Sequence, residues 1–167
     1  MGLNEDLEKI ALQERELRLA RFDAQVAWEL GSKIRAMAIE RGLTLVVDVR
    51  RFGQPLFYAA LDGTTPDNPE WVRRKSDVVA RFHRSSYGVG ITQKRSGTTL
   101  FERYGLPVAD YAADGGSFPV AVDGAGVVGS VTVSGLPQRD DHNLVVEALC
   151  AILGSDFDSL KLGPEQV

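Results

Sequence analysis

Residues 115–135, GGSFPVAVDGAGVVGSVTVSG, decide the fold because they contain two predicted strands and the turn between them. Residues 118–122 and 127–133 are mostly apolar and β-branched, a composition that favours strands. The DGAG sequence at 123–126 separates them, and its residues tolerate the positive φ angles of a tight hairpin. The stretch therefore predicts an antiparallel hairpin in the middle of a sheet.

The end of this hairpin predicts an anion site. Residues 134–137, SGLP, end the second strand and lead into a helix that should open near Gln138. The first N–H groups of a helix have no partner within the helix, so they attract carboxylates and phosphates. We therefore expect free N–H groups here, with Ser134 and Gly135 among the ligand-binding residues.

The remaining patterns predict three more strands and several helices. Apolar periodicity and turn residues place strands at 17–22, 43–49 and 54–61. Helical spacing begins near Asn4 and recurs at 24–41, 70–84, 85–94, 100–104 and from about 138 to 154. The order predicts an α+β fold with about five mainly antiparallel strands. We expect a single domain over residues 1–167, with a peripheral N-terminal helix and a short C-terminal tail.

The amino-acid composition limits the classes of function that the chain can have. The hydrophobic fraction of 44% and the charged fraction of 25% are ordinary for a globular protein. The net charge of −4 makes nucleic acid an unfavourable partner, because a phosphate backbone requires a surplus of Lys and Arg. No stretch resembles a signal peptide or a membrane span, so we expect no membrane partner and a cytoplasmic location.

Few residues suggest catalysis or metal binding. Cys150 is the only cysteine, and we expect it in the core. His83 and His142 have no metal-site spacing, so we predict no metal. His142 follows Asp140 and Asp141, where it either lies in an exposed first turn or serves as a ligand or proton carrier.

Asp48 interrupts an otherwise apolar predicted strand. An ionised carboxylate there must face water or find a cation such as a nearby arginine. Because ion-pair networks are commoner than functional carboxylates, we predict a solvent-facing or salt-bridged Asp48.

Several segments together carry a family resemblance. KSDVVARFHRS at 75–85, GGSFP at 115–119 and VGSVTVSG at 128–135 resemble the haem-degrading domain family, also called HbpS/GlcG-like. The likeness is closer to its subgroup of small uncharacterised bacterial and fungal proteins, in RFDAQVAW, VVDVRRFGQPLF, GTTPDNPEWVRRK and VSGLPQRDDHNLVVEAL. The resemblance covers roughly residues 21–153.

This resemblance implies a profilin-like fold, with a central antiparallel sheet flanked by helices, assembled into a homo-oligomer. Some relatives bind haem, so the implied function is small-ligand binding, with haem as the candidate cofactor. A haem site would need cations for its propionates. The sequence offers five in two short runs, namely Arg50, Arg51, Arg73, Arg74 and Lys75.

Two other functions stay open. A structural or interaction protein would act through its homo-oligomeric surface, with Phe52, Phe57, Tyr58 and Trp71 as anchors. An enzyme acting on a small carboxylate would use the 134–137 helix start as its anion hole and His142 as acid or base.

Lys75 and Arg73 admit two interpretations. On a solvated helix face, Lys75→Ala would change the free energy of unfolding by less than about 0.5 kcal/mol. Near the predicted anion site, Lys75 would instead converge with the N–H groups on one bound carboxylate or phosphate. The predicted ligand-binding residues are Arg73, Lys75, Ser134, Gly135 and His142.

Overall fold

A four-stranded antiparallel sheet with helices on both faces forms the centre of the protein, as seen in the computed structural model of residues 2–166. In chain order the elements are α1 (Leu3–Glu16), α2 (Ala24–Glu40), β1 (Val46–Arg51), β2 (Gln54–Ala60), α3 (Asp67–Phe82), α4 (Ser86–Ser96), α5 (Leu100–Tyr104), β3 (Ser117–Val122), β4 (Gly126–Ser134), α6 (Gln138–Leu153) and α7 (Phe157–Leu160). The predicted α+β class is confirmed.

The sheet has the strand order β2-β1-β4-β3, and every neighbouring pair is antiparallel. β3 and β4 form the predicted hairpin, with β4 inside the sheet and β3 at its edge. Gly124 and Gly126 take φ angles of 80° and 82° in the turn, which explains why glycine occupies both positions.

The predicted count of about five strands is wrong, because residues 17–22 do not form a strand. Leu19 makes one parallel bridge to Val122 at the β3 edge and no longer ladder. Leu17 is the C-cap of α1 and Asp23 is the N-cap of α2, so too few residues remain between the helices to pair further.

The main hydrophobic core lies between one sheet face and the helices α2 and α6. Val47, Val131 and Val133 point into it, and Cys150 of α6 is buried there as predicted. Gly31 lets α2 approach β2 closely, since a Cβ at this position would lie 2.2 Å from the Phe57 ring. Residues of α6 pack in the same core, which positions the start of this helix directly after β4.

The opposite sheet face is polar, and α3 crosses it. Ser117 and Thr132 share a hydrogen bond of 2.8 Å between their hydroxyls beneath this helix. Asp48 is completely buried and accepts two hydrogen bonds of 2.7 Å from the guanidinium of Arg50. The predicted salt bridge of Asp48 is therefore confirmed.

The two chain ends pack against each other and against α6. The Asp6 carboxylate of α1, in the helix expected to be peripheral, is buried and accepts hydrogen bonds of 2.8 and 2.9 Å from Arg139. Gln13 of α1 donates a hydrogen bond of 2.7 Å to the carbonyl of Leu160. Asn143 exchanges two 3.0 Å hydrogen bonds with the backbone of Leu162. Within residues 2–166, no helix has both the length and the apolar character needed to cross a membrane.

Candidate functional site

Lys75 lies beneath the end of β4, only 3% exposed, so it does not decorate a solvated helix face. Its ammonium donates to the carbonyls of Gly115 (2.9 Å) and Val133 (3.0 Å) and to Oδ2 of Asp141 (3.0 Å). An ammonium has three N–H donors. All three of them are therefore used by partners within the chain.

Asp141 occupies the predicted anion site. Its carboxylate accepts hydrogen bonds from the N–H groups of Leu136 (2.9 Å) and Gly135 (3.4 Å), as well as from Lys75. The expectation that these N–H groups are free is wrong, because α6 folds its own first-turn carboxylate back onto them. Burial raises the pKa of the Asp141 carboxyl, while Lys75 and the two N–H groups oppose that rise.

A polar pocket lies next to this ion pair. It contains Lys75, Ser134 and Gly135 among its lining residues, so the structure brings three of the five predicted ligand-binding residues together. Asp67 and Asp114 add carboxylates to its wall. Because Lys75 is already paired, the described residues of this pocket present no free cation to an anionic ligand.

His142 is directed away from this pocket, into the protein interior. Nε2 lies 2.8 Å from Oε1 of Gln13, and the ring contacts Tyr87 and Phe118. Burial, together with repulsion from Arg139, lowers the pKa of His142 to about 3. A histidine that stays neutral and enclosed cannot exchange protons with a substrate in the polar pocket.

The predicted arginines do not form one cluster. Arg50 is held by Asp48, and Arg73 donates to Glu70 and Asp110. Arg74 donates to the carbonyl of Val108 at 2.8 and 3.1 Å and lies 4.6 Å from the Trp71 ring. Arg74 also lines a second concavity.

This second concavity, the apolar cleft, lies between α4, α5 and residues 105–114, and has a volume of about 400 Å³. Its wall includes the apolar residues Ile91, Leu100, Leu106, Val108 and Tyr111. Arg74 and Lys94 are its basic residues, and Asp114 and Gln138 are shared with the polar pocket. An apolar wall with a few polar groups is the usual composition of a small-molecule site.

Local sequence signals shape the cleft. Ser85 caps α4, Thr99 caps α5, and Gly97 lies between the helices with a φ of 65°, so the chain turns sharply from one helix into the next. Gly90 of α4 packs against residues 105–114, since a Cβ at this position would lie 2.0 Å from the carbonyl oxygen of Ala113. A bulkier residue at 90 would push this wall away from α4.

The residues of the apolar cleft were not predicted from the sequence. Leu106, Val108 and Tyr111 lie in an irregular stretch where apolar residues follow neither a helical nor a strand period. The signal that was present is Gly90, since a glycine inside a helical pattern often marks a close backbone approach.

Comparison with known proteins identifies the family. The family model described as haem-degrading protein, HbpS-like, matches residues 22–150. A UPF0303 protein of Burkholderia thailandensis is 59% identical over 162 residues, which are 97% of this chain and 98% of that protein. The chain belongs to the HbpS-like haem-degrading protein family. The predicted family is therefore confirmed.

Solved structures share the fold of this HbpS-like protein. The crystal structure of the Ybr137w protein has a TM-score of 0.82 at 27% identity, covering 89% of this chain and 88% of that one. The crystal structure of a PduOC complex with haem has a TM-score of 0.65 at 15% identity, covering 80% of this chain and 94% of that one. The second likeness concerns the fold alone.

Proposed function

We propose that this HbpS-like protein binds haem or a related tetrapyrrole in the apolar cleft. The observation that carries the proposal is the cleft itself, about 400 Å³ in volume, with apolar side chains in its wall and with Arg74 and Lys94 as its basic residues. Membership of a haem-degrading family and the haem complex of a protein with a similar fold support the ligand class.

The lining of the cleft suits contact with the apolar body of a porphyrin better than it suits ligation of the iron. Arg74 and Lys94 are cations of the kind that pair with propionates. Within the described residues, neither histidine nor the cysteine belongs to the cleft lining. Tyr111 is a cleft residue of a type that ligates haem iron, and the hydroxyl of Tyr87 already accepts a hydrogen bond from Arg139. Binding should therefore rest mainly on apolar contact and on the propionates.

Arg74→Gln should weaken haemin binding about five- to tenfold, because it removes a cation from the cleft. Arg73→Gln is the matched control. Both guanidinium groups donate to backbone carbonyls of the same segment, Arg73 to Ala109 and Arg74 to Val108, but only Arg74 lines the cleft. Titration of haemin, followed at the Soret band, measures both affinities. Equal losses in the two variants would contradict the proposed site.

The hypothesis of an enzyme acting on a small carboxylate required free N–H groups at the helix start and an accessible His142. Asp141 uses the N–H groups of Gly135 and Leu136. His142 is buried with its pKa lowered to about 3, so it is a poor general acid or base near neutral pH.

A specific surface favours an interaction function beside ligand binding. Trp28 is 61% exposed and Tyr58 47% exposed, and together with Phe57 they line a groove beside β2. β2 is an edge strand, whose outer backbone groups have no partner strand within the described residues. We propose that this groove contacts a second copy of the chain, as part of the predicted homo-oligomer.

Light scattering after size exclusion should give at least twice the monomer mass of 18.2 kDa at micromolar concentration. Trp28→Lys should shift the mass towards the monomer, because a charge in an apolar interface is costly to desolvate. Phe101→Lys changes an exposed aromatic residue elsewhere, at 60% exposure, and is the matched control. A wild-type mass of 18.2 kDa, or equal effects of the two changes, would overturn this interface.

A further inference from the structure

The side chain of Gln93 is a polar feature of the apolar cleft that the proposed function leaves without a role. It belongs to α4, lines the cleft and is only 8% exposed. Within the described part of the chain, its amide oxygen is buried and accepts no hydrogen bond. Buried polar atoms are normally satisfied, so an unpaired carboxamide oxygen on a residue of the cleft wall points to a partner supplied by the ligand.

The chemistry of a carboxamide defines this partner. Its edge presents an acceptor oxygen next to a donor nitrogen, and rotation about the last side-chain bond exchanges the two. The complementary group carries a donor and an acceptor side by side, as a lactam does with its ring N–H and C=O. Such a pair forms two parallel hydrogen bonds with Gln93. A carboxylate or an aliphatic group satisfies at most half of this edge.

Haem does not provide such a group. Its four pyrrole nitrogens bind iron, and the polar groups at its periphery are the two propionates. An open-chain tetrapyrrole keeps the propionates and the conjugated apolar body, loses the iron and ends in two lactam rings. The cleft matches these properties with a lactam partner in Gln93 and two cations in Arg74 and Lys94, and none of the described residues of its lining is a histidine or a cysteine.

We propose that the apolar cleft selects open-chain tetrapyrroles over haem through a lactam pair with Gln93. This inference rests on the proposed tetrapyrrole-binding function and specifies its ligand. Bound haem leaves the carboxamide oxygen without a donor, whereas a lactam N–H satisfies it and its C=O accepts from the amide nitrogen. The difference in affinity between the two ligands therefore comes from the side chain of Gln93.

The test is absorbance titration of biliverdin and of haemin into the full chain, as wild type and as Gln93→Met. The wild type should bind biliverdin at least about tenfold more tightly than haemin. Gln93→Met should lose about tenfold in biliverdin affinity and keep its haemin affinity within about twofold. Methionine matches glutamine in length and removes an unpaired polar group from an apolar wall, so the variant should fold.

Gln25→Met, on the exposed surface of α2, is the matched control and should change neither affinity. Tighter or equal binding of haemin by the wild type would overturn the selectivity while leaving the cleft as a tetrapyrrole site. An unchanged biliverdin affinity in Gln93→Met would do the same. Saturable binding of neither pigment would overturn the proposed function together with this inference.

Discussion

Lys75→Ala should lower the free energy of unfolding by about 3–5 kcal/mol, because it leaves the buried carboxylate of Asp141 without its cation. The substitution also removes the donor that satisfies the carbonyls of Gly115 and Val133. Neither carbonyl gains a new partner from alanine. The loss therefore combines an unpaired charge with unsatisfied backbone groups beneath the end of β4.

Urea unfolding measures this loss as a fall in the midpoint at an unchanged slope. Lys94→Ala, on the exposed face of α4, is the control and should change the free energy of unfolding by less than about 0.5 kcal/mol. Lys75→Met with Asp141→Asn should recover part of the loss, since it removes the charges together. A Lys75→Ala protein as stable as the Lys94→Ala protein would show that the ion pair contributes nothing.

Acidification should destabilise the wild type strongly through His142. Its pKa is about 3 in the folded protein and near the ordinary 6.5 in the unfolded chain. Between these values the unfolded chain takes up a proton that the folded protein does not. Stability from this group is therefore fully present above pH 6.5 and declines as the pH falls towards 3, by about 1.4 kcal/mol per pH unit.

His142→Gln should remove this part of the pH dependence, since glutamine does not titrate and can still pair with Gln13. Between pH 7 and pH 4.5 the free energy of unfolding should fall by roughly 3 kcal/mol more in the wild type than in His142→Gln. Urea unfolding of both proteins at several pH values measures it, and the comparison cancels the contributions of the carboxylates. His83→Gln, which replaces the other histidine at an exposed position, is the control. Parallel curves for wild type and His142→Gln would contradict a neutral, enclosed His142.

The sheet was largely predictable because its signals are local. β-branched runs and the DGAG turn predict β3 and β4 without knowledge of the rest of the chain. Asp48 was predictable too, since a carboxylate in an apolar strand needs a cation and Arg50 is two residues away. The alternating pattern of residues 17–22 wrongly predicted a strand, because the flanking helices α1 and α2 take up the residues at both ends of this segment.

The sites were less predictable because they depend on contacts between distant residues. Lys75 lies in a segment whose sequence is typical of an amphipathic helix. Nothing in that segment shows that Gly115, Val133 and Asp141 meet at the Lys75 ammonium. The same fold fills the predicted anion site with Asp141. The apolar cleft joins α4 to an irregular segment, where apolar periodicity carries no signal.

A crystal structure of the protein saturated with haemin, with anomalous scattering recorded at the iron edge, shows directly where the tetrapyrrole binds. The iron peak is predicted inside the apolar cleft, between α4 and residues 105–114, with the propionates towards Arg74 and Lys94. An iron peak in the polar pocket beside Lys75 and Asp141, or elsewhere outside the cleft, would contradict the account.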